Sequence, residues 1–191
     1  MSTIKGKTGE IACANNFDTD DDLTFETKLS RALMKNIAYL YDNKQQTIHC
    51  KKLYFAGPWF DERANELYST CQSIIRYCSS FTRYDAFIPR EQINASPLSA
   101  FNSNVKQIKD ADLVVALISR KDCGTSWEIG MAYALGKRIV LIGYDETSFL
   151  SHTNVMLAFT GEKATISELG KILCDDEYEQ VEIKNNWRGI E

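Results

Sequence analysis

Two short segments of the chain, residues 113–118 (LVVALI) and 139–142 (IVLI), contain only apolar residues. Such segments, without alternating polar residues, are typical of strands buried on both faces of a parallel sheet. Between them, residues 125–135 show a helical pattern that stops at Gly136. Strand, helix and strand in this order predict an α/β fold with an open, mostly parallel sheet and helices on its faces.

The same alternation continues upstream and downstream. We predict further strands at 53–56 and 86–88, and helices at 61–78, after Ser96-Pro97 and at 166–173. The carboxyl ends of parallel strands lie at one edge of the sheet, and ligands of such folds bind there. We therefore expect functional residues in the loops that follow the strands 53–56, 113–118 and 139–142.

The chain divides into three parts by this pattern. Residues 51–174 form the α/β domain, preceded by an N-terminal extension of residues 1–50 and followed by a C-terminal tail of residues 175–191. The extension contains one amphipathic helix, for which Asp22 or Thr24 is the expected N-cap. Its apolar positions recur at spacings of four and three, at Phe25, Leu29, Leu33, Ile37 and Leu40.

Charge and cysteine content argue against several classes of protein. With 22 Lys and Arg against 26 Asp and Glu, the net charge is -4, so the surface has no overall attraction for nucleic acid or an anionic membrane. No apolar run reaches the roughly 18 residues of a membrane span, and the first residues lack the apolar core of a secretory signal. The six cysteines contain no C-x-x-C pair. We expect reduced thiols in a cytoplasmic protein, without a metal centre.

The loop after 113–118 carries two carboxylates, Asp122 and Glu128, on either side of Gly124. If a helix begins near Thr125, Glu128 lies in its first turn, where the helix dipole favours an ionised carboxylate. A carboxylate of this kind at the end of a strand is a candidate nucleophile, and Gly124 lets a ligand approach the backbone closely. Acidic residues are also common in first turns that have no catalytic function, so this pattern alone leaves both interpretations open.

Two other loops contain residues suited to a nucleoside-like ligand. Gly57 and Pro58 end the first strand, and Trp59 and Phe60 beyond it suit stacking on a flat base, or capping of the core. Asn154 offers donors and acceptors for sugar hydroxyls, or serves an ordinary turn. The sequence contains no P-loop or G-x-S-x-G motif, and the first strand is not followed by the G-x-G-x-x-G of dinucleotide-binding proteins.

Four segments occur in the order YFAGPWF, NSNVKQIKDADLVVALI, DCGTSWEIGMAYALGK and NVM. Together they resemble the nucleoside 2-deoxyribosyltransferase family over residues 53–157, and D-x-G-T-x-x-E-x-G-x-A is the most specific part. The resemblance implies a flavodoxin-like fold and exchange of the base of a 2′-deoxyribonucleoside for a free nucleobase. It also implies a covalent deoxyribosyl–glutamate intermediate, as in retaining glycosidases, and no cofactor.

The resemblance assigns roles to individual residues. Glu128 matches the nucleophile, Asp122 the carboxylate that holds a sugar hydroxyl, and Tyr54 a tyrosine that orients the nucleophile. Asn154 and Met156 match substrate-binding residues that a neighbouring subunit supplies. We therefore expect a homodimer or a larger homo-oligomer with shared active sites.

One position departs from some members of the family. Asn104 stands where those members have an aspartate that helps to protonate the base, and an amide is no general acid at neutral pH. Asn104 is therefore expected to hydrogen-bond the base or to hold Glu128. The proton donor is left open among water, Asp61 and Glu91. The candidates for shielding the intermediate from water are Trp59, Phe60 and Trp127.

Two alternatives remain at this stage. Sister hydrolases of deoxynucleoside 5′-monophosphates resemble this fold but carry serines at the positions of Asp122 and Asn154. An anionic Asp122 would repel a 5′-phosphate, although Arg63 and Arg120 leave that substrate open. The second alternative is a nucleoside- or nucleotide-sensing domain without turnover, for which a nucleophilic glutamate has no use.

Overall fold

The computed structural model describes residues 24–42, 51–80, 84–92, 95–118, 122–144 and 155–174. The strands are β1 (Lys51–Ala56), β2 (Tyr84–Phe87), β3 (Leu113–Leu117), β4 (Arg138–Gly143) and β5 (Glu162–Thr165). The α-helices are α1 (Phe25–Asp42), α2 (Glu62–Ser79), α3 (Pro97–Asp110), α4 (Cys123–Ala134), α5 (Val155–Ala158) and α6 (Leu169–Cys174). Short 3-10 helices cover Pro89–Glu91 and Ile166–Glu168.

The five strands form one sheet in the order β2-β1-β3-β4-β5, and every neighbouring pair is parallel. In the register, Leu53 lies beside Leu113 and Val115 beside Val140. This is the strand order of flavodoxin-like folds. The order reverses between β1 and β3, so a ligand site is expected beyond the carboxyl ends of these two strands. The α/β prediction is confirmed.

Each face of the sheet buries its own hydrophobic core. On one face, Phe55 of β1 and Val115 of β3 pack with residues of α2 and α6 and with Leu29 of α1. On the other face, Tyr54 and Val114 pack against α3 and α4. Successive strand residues alternate between the faces, so β1 sends Phe55 to the first core and Tyr54 to the second.

Most predicted elements are present, and their signals in the sequence are confirmed. Asp61 caps α2 by accepting the Ala64 N–H at 2.9 Å, and Ser96 caps α3 by accepting the Ser99 N–H at 3.2 Å. Thr24 Oγ1 accepts the Thr27 N–H at 3.3 Å, so Thr24 fills the capping role at α1; Asp22 lies outside the described residues. Gly136 follows α4 with φ +65°, a conformation that favours glycine.

The fifth strand was not predicted. β5 has the sequence EKAT, and its two charged residues hide it from a search for apolar segments. Glu162 forms an ion pair with Arg138 of β4, which satisfies its charge at the edge of the sheet. The late helix predicted at 166–173 begins as the 3-10 helix Ile166–Glu168 and continues as α6.

Helix α1 packs on the domain, although the sequence placed it in an extension. Its Asn36 side chain is buried and donates to the Ile166 carbonyl at 3.1 Å, and the Gly170 N–H donates to Asn36 Oδ1. These bonds tie α1 to the region where the 3-10 helix passes into α6. The boundaries at residues 50 and 174 stay predictions. Within the described ranges, no helix has the length and apolar character needed to cross a membrane.

Candidate active site

A tyrosine and a glutamate from different elements meet at the point where the strand order reverses. Tyr54 lies on β1, and Glu128 on α4, which follows β3. The Tyr54 hydroxyl donates to Glu128 Oε1 at 2.6 Å. The phenol ring is fully buried and stacks on Phe87, with ring centroids 5.8 Å apart. Strand, helix and ring packing thus fix the donor in front of the carboxyl group.

The prediction that Glu128 lies in the first turn of its helix is wrong. α4 begins at Cys123 rather than near Thr125, so Glu128 is its sixth residue and lies in the second turn. The cause is Asp122, whose Oδ2 accepts the Thr125 N–H at 2.6 Å and acts as the N-cap. The dipole effect falls off within the first turn. The ionisation of Glu128 is therefore set by its own surroundings.

Burial is the main influence on the ionisation of Glu128. It raises the pKa of this carboxyl to about 7; the hydrogen bond from Tyr54 lowers the pKa, and the charge of Asp122 raises it. Burial, and then the charge of Glu128, raise the pKa of Tyr54 far above its usual value, so the phenol stays a proton donor. Near neutral pH, Glu128 exists in both forms, and the ionised form has a donor ready to bind it.

Asn104 of α3 completes the contacts of Glu128. Its Nδ2 donates to Glu128 Oε1 at 3.5 Å, and Gln92 Nε2 donates to Asn104 Oδ1 at 2.8 Å. Both donors to Glu128 bind Oε1, and Oε2 has no hydrogen bond with a described residue. The carboxyl group thus has one anchored oxygen and one oxygen available for chemistry.

Gln92 was not found from the sequence. It follows the 3-10 helix Pro89–Glu91, which comes after β2. The sequence analysis expected functional residues in the loops after the strands at 53–56, 113–118 and 139–142, and it did not include the loop after β2. The rule that loops at the carboxyl ends of parallel strands carry function would have included it.

Asp122 and Gly57 have structural roles that the sequence did not separate from binding, whereas Gly124 shows none. The second oxygen of Asp122, Oδ1, has no hydrogen bond with a described residue. A Cβ at Gly57 would lie 3.0 Å from Leu117 Cβ, so a larger residue would have to displace its neighbours, and packing favours glycine here. Gly124 is exposed, and a Cβ there would make ordinary contact with Asp122. Whether any of these residues touches a substrate stays a prediction.

The predicted aromatic residues form two separate pairs. Trp59 is half-buried, lies 5.3 Å from the exposed ring of Phe60 and packs edge-on against Tyr68 of α2. Trp127 is 48% exposed, directly precedes Glu128 and lies 5.6 Å from the ring of Phe101 on α3. The second pair therefore flanks the helix segment that carries Glu128.

The remaining candidates belong to other elements or fall outside the described residues. Met156 on α5 is 76% exposed, and Asn154 and Arg120 fall outside the described ranges. The Arg63 guanidinium lies 5.1 Å over the Phe25 ring of α1. Hydrogen bonds from Arg76 and Gln72 lower the pKa of Glu91, so this carboxyl is a poor proton donor.

The described ranges hold no cluster of His, Cys, Asp and Glu side chains suited to a metal ion. The donors and acceptors around Glu128 are a phenol, an amide and a second carboxylate. This set can hold and orient a carboxyl group and can bind hydroxyls and polar base edges.

The fold and this arrangement define a class: a flavodoxin-like α/β protein with a partly buried, tyrosine-bound carboxyl group where the strand order reverses. Residues 53–183 match the model of one enzyme family, described as nucleoside 2-deoxyribosyltransferase. The chain belongs to this family. The resemblance noted in the sequence is confirmed.

The comparison with solved structures supports the fold through its first match. A 2-deoxyribosyltransferase from Bacillus psychrosaccharolyticus is 24% identical, with a TM-score of 0.52, over 69% of this chain and 95% of that chain. A 2-deoxyribosyltransferase from Leishmania mexicana is 29% identical, with a TM-score of 0.42, over 50% of this chain and 66% of that chain. A CMP N-glycosidase from Clostridium botulinum is 18% identical, with a TM-score of 0.45, over 64% and 94%. No curated protein matches this sequence significantly.

Proposed function

We propose that this protein transfers 2-deoxyribose between nucleobases, with Glu128 as the nucleophile. The observation that carries the proposal is the carboxyl group of Glu128, partly buried at the switch point, with Oε1 bound by Tyr54 and Oε2 without a hydrogen bond to a described residue. A nucleophile needs one oxygen available for attack and a fixed orientation, and this arrangement supplies both. Membership of the family supports the same reaction.

The reaction has two displacements. In the first, Glu128 Oε2 forms a bond to C1′ of the deoxyribose while the C1′–N bond breaks, and its electron pair leaves with the base. The departing base takes a proton, which water supplies in this proposal because Glu91 is held as a carboxylate by Arg76. In the second, a nitrogen of the incoming base attacks C1′, the ester bond to Oε2 breaks, and that nitrogen loses its proton to water.

Tyr54 and Asn104 act on the oxygen that does not attack. Their hydrogen bonds to Oε1 keep the carboxyl plane fixed and favour the ionised form. As the ester forms, the negative charge on the carboxyl disappears, and as it breaks, the charge returns to a site where two donors wait. We assign Asp122 to a sugar hydroxyl, whose hydrogen bond Oδ1 can accept because only Oδ2 binds the Thr125 N–H.

We propose an unphosphorylated deoxynucleoside as the substrate. A substrate phosphate near Asp122 would place another negative charge beside this carboxylate, whose own charge already raises the pKa of Glu128. The two anions would repel each other. Arg63, one of the two cations that left this point open, contacts Phe25 of α1. An Asp122→Ser variant should therefore relax the preference for unphosphorylated substrates.

We propose that the active site is shared between two copies of the chain in the cytoplasm. The exposure of Met156 on α5 fits a residue that contacts a partner's site, and the half-exposed Phe101–Trp127 pair offers an apolar surface beside Glu128. Sedimentation should then show a dimer or larger assembly, and Met156→Asp should weaken activity together with assembly. A fully active monomer would contradict this part of the proposal.

The reaction is tested by incubating the protein with deoxyuridine, with and without adenine, and separating the products by chromatography. Deoxyadenosine formed only with adenine and with intact Glu128 supports base exchange. Uracil released at the same rate without adenine identifies an N-glycosidic hydrolase instead. If deoxypurine donors and 5′-monophosphates also give no product while a nucleoside still binds, the protein is a sensor. Glu128→Ala is the control in each case.

A further inference from the structure

A row of hydrogen bonds connects the surface of α2 to the loop after β2. Arg76 Nε and Gln72 Nε2 donate to Glu91 Oε1 at 3.0 Å and 2.8 Å, and Arg76 Nη2 donates to Glu91 Oε2. Arg76 Nη1 also donates to the Ala86 carbonyl of β2 at 3.0 Å. A two-pronged arginine–carboxylate contact has a fixed geometry, so it holds the 3-10 helix Pro89–Glu91 against α2.

The next residue of that loop controls an amide beside the nucleophile. Gln92 Nε2 donates to Asn104 Oδ1 at 2.8 Å, so the other end of the amide, Nδ2, is the end that faces Glu128 Oε1. If Asn104 turned by half a rotation, its oxygen would face the carboxylate, and two acceptors repel each other. The Gln92 contact therefore favours the orientation in which Asn104 presents an N–H to Glu128.

We propose that Arg76 and Glu91 are positioning residues for Glu128, which act through Gln92 and the orientation of the Asn104 amide. Neither Arg76 nor Glu91 hydrogen-bonds to Glu128, so their influence passes through the loop. The inference rests on the proposed function only in treating Glu128 as the nucleophile. Exposed ion pairs contribute little to stability. The proposal therefore gives the partly exposed Arg76–Glu91 pair a different role.

The orientation of the Asn104 amide affects the ionisation of Glu128 together with the other groups around this carboxyl. The titratable groups that act on its carboxyl are Tyr54 from β1 and Asp122 at the start of α4, and the Glu128 charge in turn raises the pKa of Tyr68 from α2. Burial already opposes the ionised form. An amide oxygen turned toward Oε1 would oppose it further and reduce the ionised fraction at neutral pH.

The test is a titration of the Glu128 carboxyl carbon by NMR in the full chain, with Glu91→Leu as the variant. Removing the charge of Glu91 alone would lower the pKa of Glu128, because one negative charge is lost. Loss of the Asn104 orientation would instead raise the pKa of Glu128, because the ionised carboxyl loses a donor. We expect a rise of about half a pH unit or more, so the two explanations predict opposite signs.

A matched control comes from the far side of the sheet. Glu162 of β5 accepts Arg138 Nε at 2.8 Å and Arg138 Nη2 at 2.9 Å, a two-pronged pair of the same kind. Glu162→Leu should leave the Glu128 titration unchanged. If both variants shift it equally, or if Glu91→Leu lowers the pKa or leaves it unchanged, the proposal is wrong.

Turnover provides a second measurement. At about pH 6, kcat/KM of Glu91→Leu should fall roughly threefold to tenfold, and it should return toward wild type near pH 9, where Glu128 is ionised in both proteins.

A double variant tests whether Glu91 and Gln92 act through the same amide. Adding Glu91→Leu to Gln92→Leu should cause no further shift in the Glu128 titration, because both act through the Asn104 amide. If Glu91→Leu does not fold, Gln72→Leu removes one neutral donor and should shift the pKa upward by less.

The titration needs no turnover, so the two proposals fail separately. A protein without base exchange, but with the expected upward shift, disproves the proposed reaction and keeps the positioning role. A protein with exchange, but without the shift, disproves the positioning role alone.

Discussion

Each core of this domain contains a fully buried tyrosine, and the two differ in what surrounds their hydroxyls. Tyr68, in the core shared by α1, α2 and α6, packs its ring against Phe55 and Trp59 at centroid distances of 4.6 and 5.2 Å. Tyr54, in the core shared by α3 and α4, also packs its ring, but its hydroxyl bonds to a buried carboxyl group. The first core is apolar around Tyr68, whereas the second carries an electrostatic cost at Glu128, which the proposed reaction would use.

The largest loss of activity should follow replacement of Glu128, the charged group of the second core. Glu128→Ala eliminates the proposed nucleophile, so we expect kcat for base exchange to fall about 10⁴-fold or more. The fold should survive, because the replaced group is a partly buried carboxyl rather than a packed apolar side chain. Product formation by chromatography and unfolding by denaturant, measured on the same preparation, check both statements. Residual exchange above one-tenth of wild type would show that another group attacks C1′.

Cavities in the two cores should have different consequences. Ile75 lies in the α2 core and Ile129 follows Glu128 on α4, and both are buried. Replacing either by Ala should lower the free energy of unfolding by about 2–5 kcal/mol, because each change leaves a cavity. Only Ile129→Ala should also reduce kcat beyond the loss of folded protein, since it loosens the helix that carries Glu128. Equal activity per folded molecule in both variants would mean that the catalytic core tolerates movement.

The tyrosine pair gives the most direct comparison of the two hydroxyls. Tyr54→Phe removes the donor to Glu128 Oε1, and we expect kcat/KM at neutral pH to fall about 10- to 100-fold. The acid limb of the pH profile should move upward, because the lost hydrogen bond had favoured the ionised carboxyl. Tyr68→Phe keeps the ring packing and should stay within about threefold of wild type. Similar losses in both variants would indicate that the Tyr68 hydroxyl also takes part in the reaction.

These comparisons also show which features the sequence revealed. The apolar segments at 113–118 and 139–142 predicted central strands because both faces of those strands are buried. β5 was not predicted because an edge strand needs fewer apolar residues. Its Glu162 forms an ion pair with Arg138 of the neighbouring strand. Each signal was local: a run, a spacing or a capping residue.

The proposed catalytic group was only partly predicted from the sequence. Tyr54 and Glu128 were paired by the family resemblance, and the start of α4 was misplaced because Asp122 was not considered as its N-cap. Gln92 was missed because its importance lies in a contact with Asn104, which only the folded loop after β2 creates. A hydrogen bond between two segments of the chain has no local pattern that spacing can reveal.

The smallest effect should be a gain in stability from neutralising the buried carboxyl. The pKa of Glu128 is raised from 4.5 to about 7, so the folded protein binds this proton more tightly than the unfolded chain. Stability contributed by the protonated group is complete below about pH 4.5 and is lost as pH rises through 7. Glu128→Gln has no such charge, and at about pH 8.5 it should be more stable than wild type by about 1–3 kcal/mol.

Thermal unfolding of both proteins at about pH 4 and about pH 8.5 measures this difference. The two melting temperatures should nearly coincide in acid and separate in base, with the inactive Gln variant melting several degrees higher. Lys171→Gln, an exposed substitution on α6, is the control for a general effect of changing a charge. If the melting temperatures of Glu128→Gln and wild type differ equally at both pH values, the charge on Glu128 is not the source of the difference. The second core would then carry no electrostatic cost, and its contrast with the first would rest on packing alone.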